Sequence, residues 1–263
     1  MARLAAIGYT GVMQELLTKA VDLCEAAAIL INEVRAAGFL VETKQDATPV
    51  TIADQRAEAL ITSGLRAAFP EILVVAEEEV ASGRITRPAA RYWLVDPLDG
   101  TREFAAGRDE FTVNIGLVEN GVAVLGAVAT PARHEVHFGA AGLGAWKRAG
   151  GQTQPIHARQ PPPAGLSVCA SRHYADDPAL AACLAHYPIA ALLNIGSGVK
   201  FLRIAEGAAD FYPRLGRTME WDTAAPQAVL EAAGGRVVLR DGSALRYGKP
   251  DWENPDFFAW GLR

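Results

Sequence analysis

Apolar residues at Leu17, Val21, Cys24, Ala28 and Ile31 recur at spacings of four and three, the period of one helix face. This spacing predicts a first helix ending near Gly38, a residue suited to the left-handed turn at a helix C-terminus. Pro49 holds the following stretch, Asp46 to Asp54, extended. Thr51 and Asp54 then mark the start of a second helix whose apolar stripe is Ala57, Ile61, Leu65 and Ala68. Ile72 to Ala76 and Tyr92 to Val95 are short apolar runs that read as strands, each leading directly into carboxylates.

Between Phe111 and Val128 two β-rich runs flank Glu119-Asn120-Gly121, and Asn-Gly between apolar segments is a strong hairpin signal. Glu135 to Phe138 and Leu143 to Trp146 extend this region as antiparallel strands. The prolines at 161 to 163 mark a seam between a first domain, 1–160, and a second, 161–263. Beyond the seam, strands near Leu166 to Ala170 and Arg236 to Leu239 alternate with helices near Lys200 to Ala209 and Thr223 to Ala233. The order predicts an α+β first half, a more α/β second half, and a cleft where they meet.

Composition narrows the function classes. Of 263 residues half are hydrophobic, enough for a core, which excludes a disordered chain or a disulfide-stapled miniprotein. Thirty acids against 25 bases leave a net charge of −5 and argue against a nucleic-acid polymer as partner, while leaving room for a small anionic ligand. Cys24, Cys169 and Cys183 follow no metal-binding spacing and read as free thiols in a reducing compartment. The apolar stretch Leu4 to Ile7 is too short for a signal peptide, and no run approaches the roughly 18 residues of a membrane span. A cytoplasmic protein is expected, with peripheral contact at the inner face of the membrane left open.

The densest chemistry is Asp96-Pro-Leu-Asp-Gly-Thr101. A strand ending at Asp96, followed by a turn favoured by Pro97 and Gly100, brings Asp99 and the Leu98 carbonyl to the side of Asp96. Oxygen donors without nearby His or Cys specify a hard cation such as Mg²⁺. Glu77 extends that set, and Asp222 is a distant fourth carboxylate. Each has a plainer explanation: Asp99-Gly100 as a loop, Glu77 to Glu79 as a solvated patch, Asp222 as a helix cap, Thr51 with Asp54 as a capping box. Together, four acids at element ends repel one another unless cations offset them. Such a cluster suits phosphoryl transfer by a metal-activated water, with Thr101 and Asp54 carrying the hydroxyl and carboxylate needed to orient it. Backbone N–H groups at the helix starts near Thr101 and Asp222 suit phosphate oxygens.

The chain resembles the Mg²⁺-dependent, lithium-sensitive inositol monophosphatase-like superfamily. The resemblance rests on Glu77-Glu78, Trp93-Leu-Val-Asp-Pro-Leu-Asp-Gly-Thr101, and Trp221-Asp-Thr-Ala-Ala225 followed by Ala233-Gly-Gly235. It implies a layered αβαβα sandwich. Within the superfamily, Thr48-Pro-Val-Thr51, Tyr92 to Phe104 and Glu110-Phe-Thr-Val-Asn-Ile115 are similar to CysQ-type 3′(2′),5′-bisphosphate nucleotidases, and Glu103 stands where inositol monophosphatases usually have Asn. Hydrolysis of 3′-phosphoadenosine 5′-phosphate to AMP and phosphate is then implied, a step that clears the by-product of sulfate activation.

By motif, the resemblance implies metal ligands at Glu77, Asp96, Leu98 (backbone carbonyl), Asp99 and Asp222, holding two or three Mg²⁺ ions. It places Asp54 and Thr101 on the nucleophilic water. Gly100, Thr101, Ser197, Lys200, Arg214 and Tyr174 become substrate contacts, in a monomer or homodimer. Four departures stand out. Ser171-Arg-His-Tyr174 displaces the usual histidine by one, so that Tyr174 takes its place; Gly198 replaces a frequent serine; Pro226 stands where Gly is usual; and Glu220 precedes Trp221, with a possible change in the pocket's charge. The rival readings are an inositol monophosphatase or fructose-1,6-bisphosphatase, and a catalytically silent nucleotide- or metal-binding regulator. Four site carboxylates would account for most of the net charge of −5, and two divalent cations would cancel them.

Overall fold

The N-terminal apolar period is realised in α1 (Ala2–Ala37), which starts well before Leu17 and ends at Gly38, φ +79°. The computed structural model describes residues 2–43, 49–84, 87–171 and 178–262. α1 buries Leu17, Val21, Cys24 and Ile31 in a core shared with the sheet below and with α2 (Ile52–Ala68), which buries Ala57, Ile61 and Leu65. Ala68, expected in that stripe, is exposed. The two helices approach closely at Gly64, where a Cβ would lie 2.4 Å from Leu23 Cδ2. Thr51 caps α2: its side chain accepts from Ala53 N at 3.1 Å, and its own N–H donates to Asp54 Oδ2 at 2.7 Å.

Beneath these helices lies a seven-stranded sheet in the order β3 (Leu73–Ala76), β4 (Arg91–Asp99), β5 (Thr112–Glu119), β6 (Val122–Thr130), β7 (Glu135–Ala140), β8 (Gly144–Ala149) and β9 (Gln152–Pro155). β3 and β4 are parallel and the remaining pairs antiparallel. Alternation along β4 divides the core: Trp93 and Val95 face α1 and α2, whereas Tyr92 and Leu94 face the opposite layer. The expected hairpin joins β5 to β6, with Asn120 at φ +50° and Gly121 at φ +76°. A short pair, β1 (Val41–Thr43) and β2 (Pro49–Thr51), precedes α2.

The second sheet has the order β11 (Ile189–Asn194), β10 (Leu166–Ala170), β12 (Phe211–Arg214), β16 (Phe257–Trp260), β14 (Arg236–Leu239). Between the sheets lie α6 (Val199–Ala205) and α7 (Glu220–Ala232), and the far face carries α5 (Pro178–Leu184). The layers are therefore α1/α2, sheet, α6/α7, sheet, α5, the expected αβαβα sandwich. A last pair, β13 (Thr218–Met219) with β15 (Glu253–Asn254), leads into α7. Gly116 and Gly126, paired across β5 and β6, let α7 lie directly on the sheet: a Cβ at Gly126 would meet Ala225 O at 2.1 Å. Among the described residues no helix is long and apolar enough to cross a membrane. Cys24 and Cys169 are buried free thiols and Cys183 a half-buried one.

Candidate active site

β4 does not end at Asp96 but continues to Asp99 through a β-bulge. Asp96 pairs with Asn114 and Asp99 with Thr112, so β4 advances three residues while β5 advances two. Asn114 and Thr112 share one face of β5, so the extra residue turns Asp96 and Asp99 to the same side. The bulge, rather than a turn after Asp96, brings the two carboxylates together. Asp96 Oδ1 accepts from Leu98 N at 3.0 Å, and the Leu98 side chain is buried in the core. Gly100 then adopts φ +94°, where a Cβ would meet Glu110 O at 3.0 Å, and Thr101 opens the short helix α4 (Thr101–Ala105).

Thr101 Oγ1 lies 3.1 Å from both Asp54 Oδ1 and the Leu98 carbonyl. Asp54 is thus both a member of the α2 capping box and the partner of Thr101. Burial pushes its carboxyl up, against hydrogen bonds from Thr51 and Thr101 that hold it down. The three glutamates after β3, at the start of α3 (Glu77–Ala81), have different fates. Glu79 takes a two-pronged ion pair from Arg66, at 2.9 and 2.7 Å; Glu78 N donates to Glu58 Oε2 at 2.7 Å; Glu77 lines the cavity below. None of the three is a freely solvated acid, since Glu79 is only 14% exposed and pairs with Arg84 as well as Arg66.

A cavity of about 290 Å³ is lined by residues from both halves of the sequence. Glu77, Asp96, Leu98, Asp99, Gly100 and Thr101 line it from the first, and Ser197, Lys200, Arg214 and Asp222 from the second. Asp222 is the third residue of α7, not its first, and Met219 N donates to its Oδ2 at 2.9 Å. Burial raises the carboxyls of Asp96 and Asp99. Asp222 is pushed up to about 8, by burial first and then by the charge of Asp99. The carboxylates therefore compete for protons unless another positive charge offsets them. Among the described residues the lining offers carboxylates and a backbone carbonyl, with no His or Cys, a donor set that fits a hard divalent cation.

The loop before α6 closes the other wall. Ser197 holds φ +49°, Gly198 N donates to Asp99 Oδ2 at 2.6 Å, and Thr112 Oγ1 lies 3.3 Å from both Asp99 Oδ2 and Ser197 Oγ. Lys200 is not a solvated base. It is buried, donates to Ser197 O at 2.6 Å and Ile195 O at 3.4 Å, and lies over the Tyr212 ring at 5.0 Å; burial lowers its pKa to about 8. Arg214 Nε donates to Gly216 O at 3.2 Å and its Nη2 to Arg217 O at 2.5 Å. Tyr174 and His173 lie outside the described residues. Ser171 and Thr223, which stand inside the quoted motifs, also line the cavity, as do Tyr212, Arg217 and Thr218, which nothing in their spacing marks.

Residues 12–259 match the model of the inositol monophosphatase family. The chain belongs to the inositol monophosphatase family. Among its relatives in that family, the 3′(2′),5′-bisphosphate nucleotidase CysQ of Salmonella typhimurium is 42% identical over 215 residues, covering 81% of this chain and 86% of the relative. CysQ of Escherichia coli K12 is 41% identical over 218 residues, covering 82% and 87%. The crystal structure of CysQ from Bacteroides thetaiotaomicron, an inositol monophosphatase family member, superposes with a TM-score of 0.80 at 32% identity, covering 95% of this chain and 98% of that one. An inositol monophosphatase from Zymomonas mobilis superposes with a TM-score of 0.78 at 26% identity, covering 95% and 94%.

Against the family's pattern, the departures at Gly198, Glu220 and Pro226 can be placed. A Cβ at Gly198 would come within 3.1 Å of Thr112 Oγ1. Glu220 does not face the pocket: it is fully buried outside the cavity lining and is held by Gly248 N, Lys249 N and Lys249 Nζ. Pro226 sits inside α7, beyond the first turn where proline is cheap, and the helix runs through it. Among the described residues, Glu135, His137 and Glu206 bring three ligand-type atoms within 4.8 Å of one another. Lys147 Nζ lies 2.8 Å from Glu135 and 3.6 Å from Glu206, so an ammonium already occupies the position of charge compensation there.

Proposed function

We propose that this chain is a Mg²⁺-dependent phosphatase that hydrolyses 3′-phosphoadenosine 5′-phosphate to AMP and phosphate. The observation that carries the reading is a single cavity lined by the carboxylates of Glu77, Asp96, Asp99, Glu103 and Asp222 together with the bases Lys200 and Arg214. Identity of 41–42% to CysQ nucleotidases selects the substrate class. Glu77, Asp96, Asp99, Asp222 and the Leu98 carbonyl would hold two or three Mg²⁺ ions. When bound, Mg²⁺ neutralises phosphate charge and lowers the pKa of water.

The chain's own residues do the rest. With its proton directed to Asp54, the Thr101 hydroxyl keeps lone pairs free to accept from a water aimed into the cavity. The water's proton passes to Thr101 as the Thr101 proton passes to Asp54, whose raised affinity for protons suits a base. The water oxygen bonds to phosphorus, the bond to the ribose 3′ oxygen breaks, and that oxygen leaves with a proton from solvent. Ser197, Gly100 and Arg214 face the substrate, while Lys200 adds positive charge and fixes the loop that carries Ser197. In this reading residues 1–160 supply most metal ligands and the Asp54–Thr101 pair, and residues 161–263 supply Asp222 and the nucleotide contacts.

Phosphate release from the bisphosphate nucleotide, inositol 1-phosphate and fructose 1,6-bisphosphate tests the reading, each with Mg²⁺, without it, and with Li⁺. The nucleotide should turn over fastest, only with Mg²⁺, and Li⁺ should inhibit. Faster turnover of either sugar phosphate reassigns the substrate, and no turnover of any favours a silent regulator.

A further inference from the structure

The first turn of α7 carries two acids, Glu220 and Asp222, but only Asp222 faces the cavity. Glu220 is 0% exposed, and a carboxylate so buried is costly unless its oxygens are satisfied. Here they are. Both oxygens accept from Gly248 N, at 2.9 and 2.8 Å; Oε1 also accepts from Lys249 N at 2.9 Å and lies 2.6 Å from Lys249 Nζ. The Glu220 N–H in turn donates to Trp252 O at 2.7 Å.

The same C-terminal segment grips the other flank of Asp222. Thr223 Oγ1 accepts from Asn254 Nδ2 at 3.0 Å and lies 3.2 Å from the Tyr247 hydroxyl, which donates to Gln227 Oε1 at 2.6 Å. Asn254 Nδ2 also reaches Met219 O at 2.8 Å, and β13 pairs with β15 directly before the helix. Asp222 is therefore held between two anchored residues by residues 247–254, which contribute nothing to the cavity lining.

We propose that Glu220 and Lys249 are positioning residues for Asp222, fixing the first turn of α7 so that its carboxylate meets the bound cation without reorganisation. The proposal rests on reading Asp222 as a cation ligand. Two causes of an effect can be separated by sign. If Glu220 and Lys249 acted only through their charges, removing the Lys249 cation would tighten Mg²⁺ binding and removing the Glu220 anion would weaken it. If they act by position, both removals weaken it.

Mg²⁺ binding to the full-length chain by titration calorimetry decides the matter, with folding checked by circular dichroism. Asp222→Asn tests the underlying reading: if it binds Mg²⁺ like the wild type, that reading fails, whatever the other variants do. Glu220→Gln and Lys249→Met should each weaken binding at least about five-fold, while Lys249→Arg, which keeps the ion pair, should bind within about two-fold of wild type. Val34→Ala, a core truncation in α1, should lose stability and keep wild-type Mg²⁺ affinity. Tighter binding by Lys249→Met, unchanged binding by both clamp variants, or equal weakening by Val34→Ala would overturn the proposal.

Discussion

Thr101 Oγ1 stands 3.1 Å from Asp54 Oδ1, joining two residues 47 positions apart at the starts of different helices. The Asp54 side chain also receives two bonds from Thr51, so the carboxylate that orients Thr101 is itself fixed in place. Asp54→Asn and Thr101→Val should each lower kcat about 10²–10⁴-fold, the usual scale for losing a positioned base or its relay. Thr51→Ala separates the capping function from the chemistry. It should cost about 1 kcal/mol in stability and leave kcat within about ten-fold. Steady-state kinetics beside urea unfolding give both quantities, and a fully active Asp54→Asn would remove the relay from the mechanism.

Some of this site was legible in the sequence and some was not, for physical reasons. Asn120-Gly121 announces a hairpin because both positions need positive φ, and both have it. The runs at 72–76 and 92–95 are readable because strands buried on both faces are continuously apolar. β12 is obscured by Pro213, which usually argues against a central strand. It is tolerated because β12 meets β10 only at Val168↔Phe211, leaving Pro213 nothing to donate to on that side. β11 was missed because its Ala-Leu pattern has no clear period and it forms an edge. The bulge at Pro97 could not be read from β4 alone, since it is defined by the register against Thr112 and Asn114. Nor does spacing bring Thr101 to Asp54: their chemistry and the family resemblance name both, but only the fold sets the 3.1 Å contact between them. The burial of Lys200 is equally hidden: a lone lysine in a Gly-Ser loop suggests a substrate contact, and only the packing of Tyr212 and two loop carbonyls reveals its restraint.

Stability should depend on pH through Glu58. Burial pushes its carboxyl up to about 7 from an ordinary value of 4.5, helped by the charges of Glu77, Glu78 and Glu79 and opposed by the Glu78 N–H. The folded state therefore holds a proton that the unfolded chain releases between about pH 4.5 and 7. Its contribution is complete below the lower value and is lost as pH rises through the upper one, on the order of 1–3 kcal/mol in all. Urea midpoints at pH 5 and pH 8 should fall more steeply with pH for the wild type than for Glu58→Gln. Equal slopes would show that Glu58 is ionised throughout.

The glycine pair under α7 should be intolerant of any side chain. A Cβ at Gly126 would lie 2.1 Å from Ala225 O, a backbone atom, so the helix carrying Asp222 must move to admit it. Gly126→Ala should cost about 1–3 kcal/mol, the usual scale for overpacking, and should weaken Mg²⁺ binding as well. Gly11, in α1 with nothing within 4 Å of its would-be Cβ, is the contrast. Gly11→Ala should stabilise by about 0.5–1 kcal/mol, because it restricts the unfolded chain and clashes with nothing. Urea unfolding of the two variants should therefore move in opposite directions, and a stable Gly126→Ala would mean that α7 is less constrained than its contact implies.

Lys200 should matter through the loop it restrains as well as through its charge. Its ammonium donates to the Ser197 and Ile195 carbonyls, and the same loop presents Gly198 N to Asp99 Oδ2 at 2.6 Å. Lys200→Met keeps most of the volume and removes both the donors and the charge. Ser197, at φ +49°, then loses the bond that offsets its unfavourable backbone conformation. We expect kcat/KM for the bisphosphate nucleotide to fall about 10–100-fold, or about 1.4–2.8 kcal/mol of transition-state stabilisation. Lys200→Arg should not rescue it, because the planar guanidinium is larger and cannot reproduce the point contact beneath Tyr212. The division between constants locates the effect: a loss mainly in KM assigns Lys200 to substrate charge, whereas a loss shared with kcat assigns it to holding the loop against Asp99. Wild-type kinetics in Lys200→Met would exclude both roles.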